Sequence, residues 1–185
     1  MRAFVAIDPD EQNREFIYNI AALFNNLYEG NPVKKQNYHL TLFFFGNLHI
    51  VTLNTVKNIL GEINASPFKI TLDHVNCFYS KGSPRVCFVG GKSLELEAIF
   101  NYIKSKLNGS FIHFDDKPFK VHLTLFRIKY IRNLGEFTRI LSEINNSFNA
   151  LNFMVNSVIL YSSSLTKSGP SYNIEFVKHL ISFNK

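Results

Sequence analysis

Apolar residues recur with a period of two in several short segments and with a period near 3.6 in the segments between them. The first pattern is typical of half-buried strands and the second of amphipathic helices. Asp8-Pro9-Asp10 is a helix start, since it combines an N-cap residue, an early proline and acidic side chains, and Gly30-Asn31-Pro32 is a stop signal. We predict strands at 2–7, 39–45, 68–80, 85–90, 121–128, 152–162 and 172–181, helices from 8–10 to about Glu29 and at 51–64, 94–107 and 134–146, and turns at 81–84 and 169–170.

One pentapeptide occurs twice. His-Leu-Thr-Leu-Phe stands at 39–43 and again, unchanged, at 122–126. Each copy lies on a predicted strand that a helix follows, and the copies are separated by close to half the chain. The order of elements and this repeat predict an α+β protein made of a duplicated unit, a single domain over residues 1–185 with two lobes that face each other across a cleft.

The repeated motif predicts a particular set of side chains on one face. Strand side chains alternate between the two faces. Strict alternation therefore places His39, Thr41 and Phe43 on one face and Leu40 and Leu42 on the other. The second copy would divide in the same way, with His122, Thr124 and Phe126 opposite Leu123 and Leu125.

An imidazole and a hydroxyl on each of two facing strands suit phosphoester chemistry. Imidazole titrates near neutral pH, so one histidine can take a proton from water while the other gives a proton to the leaving oxygen. A threonine hydroxyl can donate to a phosphate oxygen. A lone strand histidine is more often structural, but the identical repeat makes His39 and His122 candidate catalytic residues. A repeat that only binds RNA is the alternative.

The charge is unevenly distributed. The chain of 185 residues has a formal net charge of +6, and residues 92–185 carry +5 of it. Five cations and no acid lie between Lys117 and Arg132. Such a field attracts phosphates and nucleic acids, although a solvated basic face would look the same.

Other features narrow the function class. Two cysteines, Cys77 and Cys87, do not make a disulfide framework, and this favours a reducing compartment. The N-terminal apolar run is too short for a signal peptide, and no stretch is long enough for a membrane span. We therefore expect a soluble, cytoplasmic protein. The remaining histidines lack metal-ligand spacing, and neither a Gly-rich phosphate loop nor a serine elbow occurs, so we expect no metal and no cofactor.

These residues resemble the two-histidine phosphoesterase superfamily, and within it the RNA 2′,3′-cyclic phosphodiesterases, also called 2′-5′ RNA ligases. The likeness covers nearly the whole chain. It is carried by Arg2–Ile7, Asn37–Leu42, Pro84–Val86, Lys117–Phe119, His122–Arg127, Leu160–Leu165 and Gly169-Pro170 with Tyr172.

The resemblance implies two antiparallel β-sheets facing a central cleft, with helices packed outside. It implies His39 as proton donor and His122 as proton acceptor, with Thr41 and Thr124 holding the phosphate. Val121 stands where the family often has proline. Arg127 could pair with a phosphate oxygen, but strict alternation points it away from His122. Phe44 could stack on a base, and core packing is at least as good an explanation.

The implied reaction converts RNA 2′,3′-cyclic phosphate ends to 2′-phosphates, with joining or cleavage of 2′-5′ linkages as a related activity. RNA ends, with tRNA halves among the candidates, are the expected partner; no membrane and no obligate protein partner are expected. Two alternatives stay open. One is a non-catalytic RNA-end or nucleotide-binding module, and the other is a sister phosphoesterase acting on cyclic nucleotides.

Overall fold

The computed structural model describes residues 1–167 and 169–182. Within them the chain forms nine strands, four α-helices and one short 3₁₀ turn. The elements are β1 Arg2–Ile7, α1 Glu11–Ala22, β2 Tyr28–Pro32, the 3₁₀ turn Lys35–Asn37, β3 Leu40–Asn47, α2 Ile50–Gly61, β4 Phe68–Ser80, β5 Ser83–Lys92, α3 Leu94–Asn108, β6 His122–Ile131, α4 Leu134–Ser147, β7 Leu151–Val155, β8 Ser157–Thr166 and β9 Gly169–His179.

The strands form two antiparallel halves. One half has the order β7-β4-β5-β6, with β2 added beside β6, and the other has the order β3-β1-β8-β9. The halves meet where β3 approaches β6, at the pair Leu40 and Leu123. The predicted α+β fold with facing antiparallel sheets is confirmed.

The two halves are built from the same unit. The series β1-α1-β3-α2 matches the series β5-α3-β6-α4, with β2 inserted in the first. After each series the chain crosses to the other half: β4 follows α2 but pairs with β5, and β8, which comes after α4 and β7, pairs with β1. Each half therefore contains strands from both repeats, and this exchange ties the halves together.

Amphipathic helices cover the outer side of the sheet. Helices α1, α2 and α3 each bury apolar residues at helical spacing, such as Ile17 and Ile20 on α1 and Ile99 and Ile103 on α3, and α4 buries Phe137. Full burial of such a side chain contributes roughly 1.5–3 kcal/mol. The predicted helix start at 8–10 is confirmed: α1 begins at Glu11, and its N-cap is Asp10, which accepts a hydrogen bond from the Asn13 backbone N–H at 2.8 Å.

The prediction that the first helix extends to Glu29 is wrong. The helix ends at Ala22, and Asn26 has a positive φ of 69°, which asparagine tolerates better than most residues. Tyr28–Pro32 instead pairs with β6 as strand β2. Gly30 lies so close to β6 that a Cβ there would be 2.0 Å from the Arg127 carbonyl oxygen. Pairing with a distant strand therefore overrides the local helical pattern.

The predicted strand at 152–162 is two strands. β7 pairs with β4 and β8 pairs with β1, so the chain passes from one half of the sheet to the other at Asn156. Gly169 and Pro170, predicted as a turn, begin β9 opposite Thr166 and Leu165. Ser168, next to them, lies outside the described residues.

Two further observations concern the expected setting of the protein. None of the helices in the described ranges is long and apolar enough to span a membrane. Cys77 and Cys87 face each other across β4 and β5, and both are buried free thiols.

Candidate active site

His39 and His122 are held by the same hydrogen bond. His39 directly precedes β3, and its Nδ1 lies 2.7 Å from the carbonyl oxygen of Asn37. His122 begins β6, and its Nδ1 lies 2.8 Å from the carbonyl oxygen of Lys120. A carbonyl oxygen can only accept, so each Nδ1 carries the hydrogen. Each Nε2 is thereby left to exchange protons.

Aromatic rings fix both imidazoles from the side. The His39 ring lies 4.9 Å from the Phe4 ring and 5.5 Å from the Tyr172 ring, to which it is nearly perpendicular. Such contacts restrict ring rotation and exclude water. The matching neighbours of His122 are Phe78 at 5.0 Å and Phe88 at 5.6 Å.

Burial lowers the pKa of both imidazoles. For His39 it is the largest effect; the Asn37 carbonyl and the Asp8 carboxylate act in the opposite direction. For His122 burial is again the largest effect, and the Lys120 carbonyl opposes it. The low-dielectric surroundings disfavour imidazolium, so the neutral form of each ring is favoured at neutral pH.

A β-bulge in β3 changes which side chains face the histidine. Val5 pairs with Phe43 and Ala6 with Thr41, so Leu42 is an extra residue on β3. Leu42 and Phe43 are both buried. The prediction that Phe43 shares the face of His39 is therefore wrong.

β6 has the same bulge at the same place in its motif. Cys87 pairs with Phe126 and Phe88 with Thr124, which leaves Leu125 as the extra residue. Leu125 and Phe126 are both 0% exposed. The predicted position of Phe126 beside His122 is thus wrong for the same physical reason.

The bulges turn the next residue of each motif toward the cleft. Phe44 is 46% exposed, and Arg127 is also exposed. Strict alternation predicted that Arg127 points away from His122. Because Leu125 is an extra residue in β6, Arg127 instead lies on the same face as His122 and Thr124. Phe44 occupies the matching offset after His39.

One cavity of about 720 Å³ is lined by all six of the predicted catalytic and substrate-binding residues. That volume is in the range of small-molecule sites and can hold a nucleotide. The candidate residues in its wall are His39, Thr41, Phe44, His122, Thr124 and Arg127.

A second cavity of about 540 Å³ continues the cleft on the side of His122. It shares Thr41, Phe44, His122 and Arg127 with the first, so the two form one groove across the site. Its own wall is aromatic and mostly basic, with Asp115 as an acidic residue. It includes Phe78, Phe100, Lys117, Phe119 and Lys120.

The basic run from 117 to 132 is divided by the fold. Lys117, Lys120 and Arg127 line the groove, where Lys117 forms an ion pair of 2.8 Å with Asp115, whereas Arg132 lies 3.5 Å from Glu29 in an ion pair. Sequence reasoning missed Lys34, which lines the larger cavity together with Lys167 and Tyr172. Tyr172 stood within the residues that carry the family resemblance; the two lysines gave no local signal.

Residues 1–167 and 169–182 contain no group of three or more His, Cys, Asp or Glu side chains that could hold a metal ion. The donor set around the cleft is instead two imidazoles, two hydroxyls and cationic side chains, which suits an anionic substrate.

The duplicated fold and the two His-Thr motifs around one cationic cleft define a phosphoesterase. A family model described as LigT like Phosphoesterase matches the chain twice, over residues 7–88 and 91–172, one match per repeat. This chain therefore belongs to the LigT-like phosphoesterase family.

A relative of known name agrees with that assignment, and two solved structures share the fold. An RNA 2′,3′-cyclic phosphodiesterase of Archaeoglobus fulgidus is 34% identical over 93% of this chain and 96% of its own length. A crystal structure of a Thermus thermophilus protein has a TM-score of 0.82 at 23% identity, covering 97% of this chain and 98% of its own. Escherichia coli LigT complexed with 3′-AMP has a TM-score of 0.80 at 24% identity, covering 98% of each chain. At these identities the two structures show the shared fold.

Proposed function

We propose that this protein hydrolyses the 2′,3′-cyclic phosphate at RNA ends and leaves a 2′-phosphate. The observation that carries the proposal is the matched pair of imidazoles, each with Nδ1 against the carbonyl two residues earlier, in the wall of one cavity. The name of the Archaeoglobus relative supplies the substrate class.

The reaction needs one neutral and one protonated imidazole. Nε2 of His122 takes a proton from water while the water oxygen bonds to phosphorus. The bond from phosphorus to the 3′ oxygen breaks, and Nε2 of His39 gives that oxygen a proton. The products are a 2′-phosphate and a free 3′-hydroxyl, and one water is consumed. Proton exchange with solvent restores both rings.

Nearby charges support this division of roles. Burial lowers the pKa of both rings, and Arg127 and Lys120 lower the pKa of His122 further, which favours the neutral base. His39 also feels Arg14 and His122, but the Asp8 carboxylate raises its pKa and so favours imidazolium there. Protonation of one imidazole disfavours protonation of the other. This coupling suits a pair of histidines that carries one proton between them.

The two threonines and Arg127 hold the phosphate in this proposal. Extending the antiparallel register of Leu40 and Leu123 by one residue places His39 opposite Thr124 and Thr41 opposite His122. Each hydroxyl can thus donate to a phosphate oxygen beside the other motif's imidazole, and Arg127 can neutralise the developing charge.

We infer a second activity, the joining of 2′-5′ linkages, from the cavity on the side of His122. Water needs no such space, but a nucleoside with a free 5′-hydroxyl would fit among Phe78, Phe119, Lys117 and Lys120. Its 5′ oxygen would attack phosphorus in place of water, with the same proton transfers and no other reactant. Incubating a cyclic-phosphate RNA with a 5′-hydroxyl RNA, with and without Phe119→Ala, tests this. The ligated product should fall more than hydrolysis does.

The main proposal is tested with an RNA ending in a 2′,3′-cyclic phosphate, in ¹⁸O-labelled water and with a chelator present. Label in a 2′-phosphate is expected. A dominant 3′-phosphate would mean that the roles of the histidines or the pose of the substrate are reversed.

The same assay separates the alternative functions. Tight binding without turnover would favour a binding module, and preference for free cyclic nucleotides would favour the sister phosphoesterase. tRNA halves are a suitable natural substrate class to compare in the same assay. If the chelator abolished activity and an added divalent ion restored it, that result would contradict the metal-free mechanism.

A further inference from the structure

Arg14 makes an unusual set of contacts below the catalytic cleft. Its side chain, on α1, is only 12% exposed. One guanidinium nitrogen, Nη1, donates to three carbonyl oxygens of the turn that precedes β3. The acceptors are Lys35 at 3.2 Å, Gln36 at 3.0 Å and Tyr38 at 2.9 Å.

The carbonyls of this turn divide between two partners. Those of residues 35, 36 and 38 point to Arg14, whereas the carbonyl of Asn37 points the other way and accepts from Nδ1 of His39. The orientation of the Asn37 peptide is thus set by the neighbours that Arg14 holds. The side-chain amide of Asn37 also donates a hydrogen bond of 3.0 Å to the carbonyl oxygen of Pro170.

The guanidinium is itself held in place. Nη2 of Arg14 donates to Oδ2 of Asp8 at 2.9 Å, and the hydroxyl of Tyr161 donates to the same oxygen at 2.8 Å. Asp8 follows β1 and Tyr161 lies on β8, so two strands of the sheet brace the cation. A planar guanidinium can serve a carboxylate and several carbonyls at once, which an ammonium cannot.

We propose that Arg14 is a positioning residue for His39. It acts through the 35–38 turn, whose Asn37 carbonyl fixes the imidazole with its hydrogen on Nδ1 and leaves Nε2 toward the cleft. This proposal rests on the proposed hydrolysis. His122 supplies an internal comparison, because its Nδ1 is held by the Lys120 carbonyl, which Arg14 does not contact.

The test compares R14M and R14K with R139M, a control that removes an exposed arginine ion-paired to Glu136 and Glu143 on the surface of α4. Turnover of a cyclic-phosphate RNA and NMR of ¹⁵N-histidine protein are measured, and the Nδ1–H signals are assigned with the two single histidine-to-alanine variants. Misplacement of a catalytic group by about 1 Å can cost about 100-fold, so R14M should lose roughly 10- to 100-fold in kcat. KM should stay within about twofold.

The NMR result separates positioning from general damage. The Nδ1–H signal of His39 should weaken by solvent exchange in R14M while that of His122 persists, and R14K should be intermediate in both readouts. If R14M does not fold, R14K carries the test. Parental kcat with both signals intact, or equal weakening of both signals, would overturn the proposal. If the parent protein does not hydrolyse the RNA, the proposed function fails, and the NMR comparison still decides whether Arg14 orients His39.

Discussion

Leu40 and Leu123 lie opposite each other at the point where the two halves of the sheet meet. Each leucine directly follows a motif histidine and is buried. Because the pairing is antiparallel, the two motifs run past each other in opposite directions around this point. A repeated sequence motif thereby becomes a pair of histidines in one cavity.

Alanine at either histidine should remove most of the activity. A positioned acid or base contributes about 10²–10⁴-fold. We expect His39→Ala and His122→Ala each to lose that much in kcat while their circular dichroism matches the parent. The double variant should lose little more, because the two groups act as a unit. Near-parental turnover in either folded single variant would refute the paired mechanism.

Valine at either threonine should weaken phosphate contact without disturbing the strand. A lost hydrogen bond to a charged group costs about 1.5–3 kcal/mol, or roughly 10- to 150-fold in kcat/KM. Thr41→Val and Thr124→Val are measured against Thr138→Val, whose hydroxyl donates within α4 to the Leu134 carbonyl. Equal kinetics in all three would mean that the motif threonines only form strands.

The pH dependence follows from the lowered pKa of both imidazoles. The kcat/KM profile reports the free enzyme, in which the acid loses its proton as pH rises through its lowered pKa. We therefore expect a bell-shaped pH profile of kcat/KM, with its maximum at a pH below the ordinary imidazole pKa of about 6.5. In the kcat profile the bound phosphate stabilises imidazolium, so the alkaline limb should move to higher pH. A kcat/KM plateau reaching about pH 8 would contradict the buried-imidazole argument.

Arg127→Met should lower activity and move one limb of the same profile. A charge-assisted contact to phosphate is worth about 1.5–3 kcal/mol, so kcat/KM should fall roughly 10- to 150-fold. Arg127 also lowers the pKa of His122, so its removal should shift the acid limb to higher pH. The matched control is Lys129→Met, two residues along β6 and outside both cavity walls. If Lys129→Met lost as much kcat/KM as Arg127→Met, the effect would come from the overall positive charge and not from a specific contact between Arg127 and phosphate.

Phe44→Leu tests the base-stacking prediction. Stacking of a base on an aromatic ring contributes about 1–3 kcal/mol. Because Phe44 is 46% exposed at the groove, the substitution should raise KM for RNA more than it changes the melting temperature. A lower melting temperature with unchanged KM would favour core packing.

Much of the fold could be predicted because its signals are local. Helices α2, α3 and α4 follow the apolar period closely, and α1 starts directly after the predicted start signal at 8–10. Tyr28–Pro32 could not be predicted in this way, because its pairing partner β6 lies about a hundred residues further along the chain. The break at Asn156 likewise reflects a change of partner strand rather than a change in the sequence pattern.

The sequence by itself determined the duplication, the two histidines and two threonines, and the sign of the charge around the second motif. Only the tertiary structure decided which further side chains join them. Phe43 and Phe126 enter the core while Phe44 and Arg127 face the cleft, because an extra residue in each strand resets the alternation. Such a bulge depends on the register with a neighbouring strand, which no single strand's sequence contains. The support of His39 by Arg14 is of the same kind, since α1 meets the 35–38 turn only after the sheet has formed.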